Sequence, residues 1–179
     1  AGNPSAGRLD RAYAFGVSQT GRFLRHLLYL GLNEDESGRQ VYDAVFPHVA
    51  GGRRGEFNMR FGQPSLNATQ SVGSLFPFTD SEQLDPVTGQ RDGLLSRLAA
   101  GGKMPKIFTV NTSAEYWRGD ASLVHTDIEG RADVEPPDHV RIYLFAGTQH
   151  TPGALPPPAA DPNTGDRGRV PFNTVDYAP

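Results

Sequence analysis

The 179 residues carry a formal charge of −3 and no cysteine. The missing thiols exclude disulfides, zinc–thiolate sites and a cysteine nucleophile together, and 17 scattered basic residues speak against a nucleic-acid partner, which needs concentrated Lys and Arg. No apolar run reaches the roughly eighteen residues of a membrane span. The 21 glycines and 15 prolines have no collagen-like period and predict a loop-rich globular enzyme or binding domain.

In chain order, residues 1–10 are polar and turn-rich, and "RAYAFGV" at 11–17 is an apolar, aromatic run of strand length with no helical period. From Gln19 the pattern changes. Phe23 with Leu27, and Leu24 with Leu28, fall at the i, i+4 spacing of a helix that Gly31 can cap. After the surface turn "NEDESGRQ", "VYDAVFPHVAGG" at 41–52 reads as a second buried strand with a glycine exit. Residues 53–91 show neither period and hold the aromatic cluster "SLFPFTD". So long a connection inside a domain predicts a lid or insertion.

Leu94, Leu95 and Leu98 predict a short helix capped by Gly101 and Gly102; "KIFTVNT" at 106–112 is a third strand and "VRIYLFAG" at 140–147 a fourth. The proline-rich tail has no period. Strands alternating with helices predict an α/β fold, with helices flanking a mainly parallel sheet. Four strands are few for such a sheet. The chain also begins one turn before a buried strand and stops where a closing helix is expected. Residues 1–179 therefore read as a single, incomplete domain, an internal segment of a longer protein whose first strand would expose a hydrophobic edge.

The seam at 13–31, "YAFGVSQTGRFLRHLLYLG", places Ser18 between strand and helix, flanked by Gly16 and Gly21. A serine hydroxyl is a weak nucleophile without a base and oxyanion donors. A tight strand-to-helix turn supplies part of both, because it exposes the serine at the positive end of a helix. The usual elbow is G-x-S-x-G; here Thr20 stands at the second glycine position and the glycine follows one place later. The competing reading is that Ser18 merely N-caps the helix.

The rest of the chain favours the nucleophile. Elbow hydrolases run Ser, then Asp or Glu, then His, each after a later strand. Glu115 follows "KIFTVNT" closely and His150 follows "VRIYLFAG", which delivers both to the sheet edge that bears Ser18. Asp120 is the alternative acid, with Asp127 beyond it. Of the other histidines, His48 closes the second strand but precedes the acid. His26 lies on the helix, His139 before a strand and His125 in a polar segment.

"FGVSQTGRFLRHLLYLGLNEDESGRQVYDAVFPHVAGGRRGEFNMRF", "NTSAEYWRGDASLVHTD" and "VRIYLFAGTQH" together resemble a bacterial family of alpha/beta hydrolase domain proteins. The resemblance implies an α/β-hydrolase fold of which this chain is the C-terminal part, with Ser18, Glu115 and His150 in the triad positions. It also implies that earlier strands, and with them a second oxyanion donor, precede the segment. The elbow is similar to that of glucuronoyl esterases, G-x-S-R-x-G-K, over Gly16–Arg22. Gln19 stands where those enzymes carry arginine, and it offers a backbone N–H and a neutral amide but no charge. That departure counts against a uronate ester.

Other motifs are weaker. "DPNTGD" from Asp161 misses a calcium loop, with its glycine one place early and Phe172 where a glutamate belongs. Glycosylation acceptor patterns at Asn67 and Asn111 are common by chance, and the second closes a buried strand. Trp117 suits a substrate pocket or a core cover equally. No dinucleotide or P-loop motif is present, so no cofactor and no metal are expected. The expectation is a serine esterase in which Ser18, His150 and Glu115 act with the Gln19 N–H as oxyanion donor, on a small-molecule or carbohydrate ester. The alternative is a non-catalytic carbohydrate- or protein-binding domain on the same scaffold, supported by the aromatic stretch from Phe57 to Phe78 and by Thr20.

Overall fold

The computed structural model describes residues 7–58, 60, 75–117 and 120–150. Four parallel strands form the main sheet in the order β1 (Tyr13–Val17), β2 (Ala44–His48), β5 (Lys106–Thr112) and β6 (Val140–Phe145). Each lies within a run expected to be a strand, and β5 matches its run residue for residue. The others are shorter at their ends. Ala12 turns its N–H to the Asp43 carboxylate, Tyr42 gives its N–H to the Asn33 side chain, and Val49 takes φ 46° where β2 stops.

The helix α1 (Gln19–Tyr29) follows β1 and buries Gly21, Leu24, Arg25, His26 and Leu28. It ends in the bond pattern of a glycine stop. The Gly31 N–H reaches the Leu28 carbonyl, the Leu32 N–H reaches that of Leu27, and Gly31 takes φ 75°. The second helix, α2 (Ser96–Gly101), is capped by left-handed Gly102. Leu24 and Leu28 of α1 meet Leu94, Leu95 and Leu98 over Ala14, Val45, Ile107 and Val140 of the sheet. Each such side chain contributes about 1.5–3 kcal/mol on burial.

The opposite sheet face carries an aromatic row. Phe46 and Phe108 stack at 4.9 Å between centroids, and Tyr143 lies parallel to Phe108 at 6.4 Å. Phe15, on the edge strand β1, is 59% exposed.

Two features carried no sequence signal. A ribbon of two-residue antiparallel strands, β3 (Gln83–Leu84) and β4 (Arg91–Asp92), closes the stretch 53–91 and ends one residue past it. A one-turn helix, α3 (Ser113–Trp117), follows β5 where an irregular loop was expected. Within 53–91, Phe76, Phe78, Thr79 and Asp80 are buried, and the buried Arg25 donates to the Gly52 and Phe78 carbonyls. Those positions are packed into the domain. Residues 59 and 61–74, Asn67 among them, lie outside the described residues, as do the motif at Asp161 and the tail from Thr151. Among the described residues no helix is long and apolar enough to cross a membrane.

Candidate active site

Ser18 occupies the turn between β1 and α1 with φ 54° and ψ −112°, a conformation L-residues adopt only under strain. Strain of this kind is held by its surroundings. The Ser18 N–H donates to the His48 carbonyl, and the Arg22 N–H donates to the Ser18 carbonyl. A Cβ on Gly16 would lie 2.5 Å from the Thr20 carbonyl oxygen, and one on Gly21 2.9 Å from the Gly16 carbonyl oxygen. The two glycines therefore let strand and helix meet at a distance no side chain permits.

Thr20 explains how the elbow does without glycine at its own position. The Val17 N–H donates to Thr20 Oγ1, and the same hydroxyl donates to the Val17 carbonyl, both at 2.8 Å. The threonine stitches the helix start back onto the strand end.

Ser18 stands at the N-cap position, yet its side chain makes no capping bond. Its Oγ lies 2.9 Å from His150 Nε2 instead. His150 Nδ1 lies 2.6 Å from Glu115 Oε1. The other carboxylate oxygen, Oε2, accepts from the Thr112 N–H at 2.8 Å and from Thr112 Oγ1 at 2.6 Å. Glu115 is fully buried, and about a third of the His150 side chain is exposed. Each partner comes from the C-terminal end of a strand: Ser18 after β1, Glu115 on α3 after β5, and His150 after β6. This chain of bonds can draw a proton from a serine hydroxyl and steady the charge left on the imidazole.

A family model described as an alpha/beta hydrolase domain matches residues 1–177. The chain belongs to that family. The parallel sheet with the strand–turn–helix at Ser18 is the corresponding part of an alpha/beta hydrolase domain. No solved structure matches the chain.

The other candidates of this alpha/beta hydrolase domain have different partners. Asp120 Oδ2 accepts from Arg53 Nε at 2.8 Å, with both side chains nearly buried. Asp127 accepts the Arg131 N–H in a turn. His26 packs against Tyr29 and Phe57 with Arg54 3.4 Å from its Nδ1; burial and then the Arg54 charge hold its pKa below the usual value. His48 is buried and stacks on Phe15. His125 Nε2 lies 2.7 Å from the Tyr116 hydroxyl. His139 precedes β6, its pKa lowered by burial and then by Lys106. Trp117 is 89% exposed and so covers no core.

Gln19 is the first residue of α1, next to the serine. Its N–H belongs to the first turn, where helix geometry directs amides outward along the axis. The residue that sequence reasoning passed over is Thr112. In the sequence it is the end of a strand, yet a threonine three residues before a glutamate has the capping-box spacing, at which the carboxylate returns to the threonine N–H. Among the described residues no group of three or more His, Asp or Glu side chains is placed to hold a metal ion.

Proposed function

We propose that the protein is a serine hydrolase of carboxylic esters, acting on a small-molecule or carbohydrate ester through an acyl-enzyme. The observation that carries this reading is the position of His150, with its two ring nitrogens at bonding distance from Ser18 and from buried Glu115. Ser18 Oγ attacks the ester carbonyl as His150 Nε2 takes its proton. The carbonyl oxygen becomes an oxyanion, which accepts from the Gln19 N–H. Collapse expels the alcohol, which takes the proton back from His150. A water activated by His150 then attacks the acyl-serine, and its collapse releases the acid and restores the hydroxyl. Glu115 holds the Nδ1 proton throughout and compensates the imidazolium.

The test is covalent labelling of the full-length protein with a serine-directed phosphonate, read by peptide mass spectrometry. Labelling of Ser18 alone, lost in His150→Ala, is expected. Labelling elsewhere in an active preparation, or equal hydrolysis of a short-chain nitrophenyl ester by wild type and His150→Ala, overturns the reading.

A further inference from the structure

Glu115 is fully buried, and a buried carboxylate keeps one orientation only if donors fix it. Two such donors come from one residue. Thr112, the last of β5, gives both its backbone N–H and its hydroxyl to Oε2, so that Oε1 is turned to the imidazole. The geometry is stiff. Thr112 is itself buried, its β-branched side chain has few rotamers, and α3 carries Glu115 back over it within one turn.

The histidine side is anchored separately. The Gly147 N–H donates to Ser113 Oγ at 2.8 Å, and Thr148 Oγ1 donates to the Phe145 carbonyl at 2.6 Å. The histidine loop is tied at these points, and the Thr112 hydroxyl acts at the other partner, on the rotation of the carboxylate.

We propose that Thr112 is a positioning residue of the hydrolytic site: its hydroxyl orients the Glu115 carboxylate so that Oε1 meets His150 Nδ1. This rests on the proposed serine-hydrolase reading. The hydroxyl touches no reacting atom and acts only through Glu115.

The test compares Thr112→Val, which keeps volume and the backbone donor, with Thr112→Ser, which keeps the hydroxyl, on a nitrophenyl ester in the full-length protein. Thr112→Val should lower kcat about tenfold or more, the effect of one bond to a charged group, with KM unchanged. Thr112→Ser should stay within about threefold of wild type, on the same grounds. In a Glu115→Gln background the loss from Thr112→Val should shrink below about twofold, because the charge it orients is gone. Wild-type kcat in Thr112→Val overturns the inference. So does a Thr112→Ser variant as slow as Thr112→Val, or a valine effect undiminished beside Glu115→Gln. Phosphonate labelling separates the failures. If wild-type Ser18 is not labelled, the hydrolase reading falls and this inference with it; if Ser18 is labelled and valine costs nothing, this inference alone falls.

Discussion

Asp120 closes an ion pair with Arg53, Nε to Oδ2 at 2.8 Å, and both side chains are about nine-tenths buried. The carboxylate that lies five residues after Glu115 is thus committed to a cation from the β2 exit. The two acids should separate cleanly by experiment. Asp120→Asn leaves Arg53 buried without its counter-charge and should cost about 3 kcal/mol of stability, with turnover per folded molecule near wild type. Glu115→Gln should cut turnover by roughly 10³–10⁴, the scale of losing a triad carboxylate. Thermal melts beside kinetics check both, and the opposite ranking would transfer the role to Asp120.

The strained turn makes a second prediction. Ser18→Ala and Ser18→Gly both remove the hydroxyl and should both abolish turnover. They differ in backbone freedom at φ 54°, ψ −112°. Glycine relieves strain of about 1–3 kcal/mol and gives back part of it as chain entropy in the unfolded state. Ser18→Gly should therefore be more stable than Ser18→Ala by about 1 kcal/mol in denaturant titration, within those same ranges. An alanine variant as stable as the glycine variant would mean that the turn stores no strain.

Close approach at the seam gives a third. Gly16→Ala brings a methyl to 2.5 Å from the Thr20 carbonyl oxygen and 2.9 Å from Leu24 Cδ1, atoms of the helix that packs on it. It should cost about 1–3 kcal/mol and reduce activity by shifting Ser18. Gly101→Ala is the control. A Cβ there meets nothing within 4 Å, at the end of α2, so its melting temperature should be unchanged or slightly higher.

Burial pushes the Asp80 carboxyl up to about 6 from its ordinary 3.8, against the opposing pull of the Arg25 charge. Between those values the folded protein binds more protons at this site than the unfolded chain does. Stability from Asp80 is therefore present at about pH 4, falls as pH rises to about 6, and levels off above. Asp80→Asn removes that slope. The difference between the two melting temperatures across this range isolates the group, because the part-buried Asp35 and Asp43, whose pKa values are lowered, are common to both. Parallel curves would refute the assignment.

The strands and the long helix were legible because their signals are local. "KIFTVNT" is rich in β-branched and aromatic residues over a strand's length, and Phe23, Leu24, Leu27 and Leu28 declare a helical face through neighbours three and four residues away. The ribbon at Gln83–Leu84 and Arg91–Asp92 escaped because two residues cannot display a period. The one-turn helix at Ser113–Trp117 is too short to show one either. The order Ser, Glu, His along the chain, and Gly16 and Gly21 around the serine, were enough to nominate Ser18, Glu115 and His150.

What the sequence left open was which partner each group meets. Glu115 and Asp120 both follow β5 within a few residues. The choice between them rests on contacts across 35 residues to His150 and 67 residues to Arg53, which no local spacing encodes. Thr20 departs from the elbow pattern in sequence, but in space its hydroxyl returns to Val17. Ser18 had the composition of an ordinary N-cap, and only the arrival of His150 from 132 residues away takes its hydroxyl elsewhere. Residue types and order decide which chemistry is available; packing decides which side chains touch, because a bond of about 3 Å depends on where whole strands end in space.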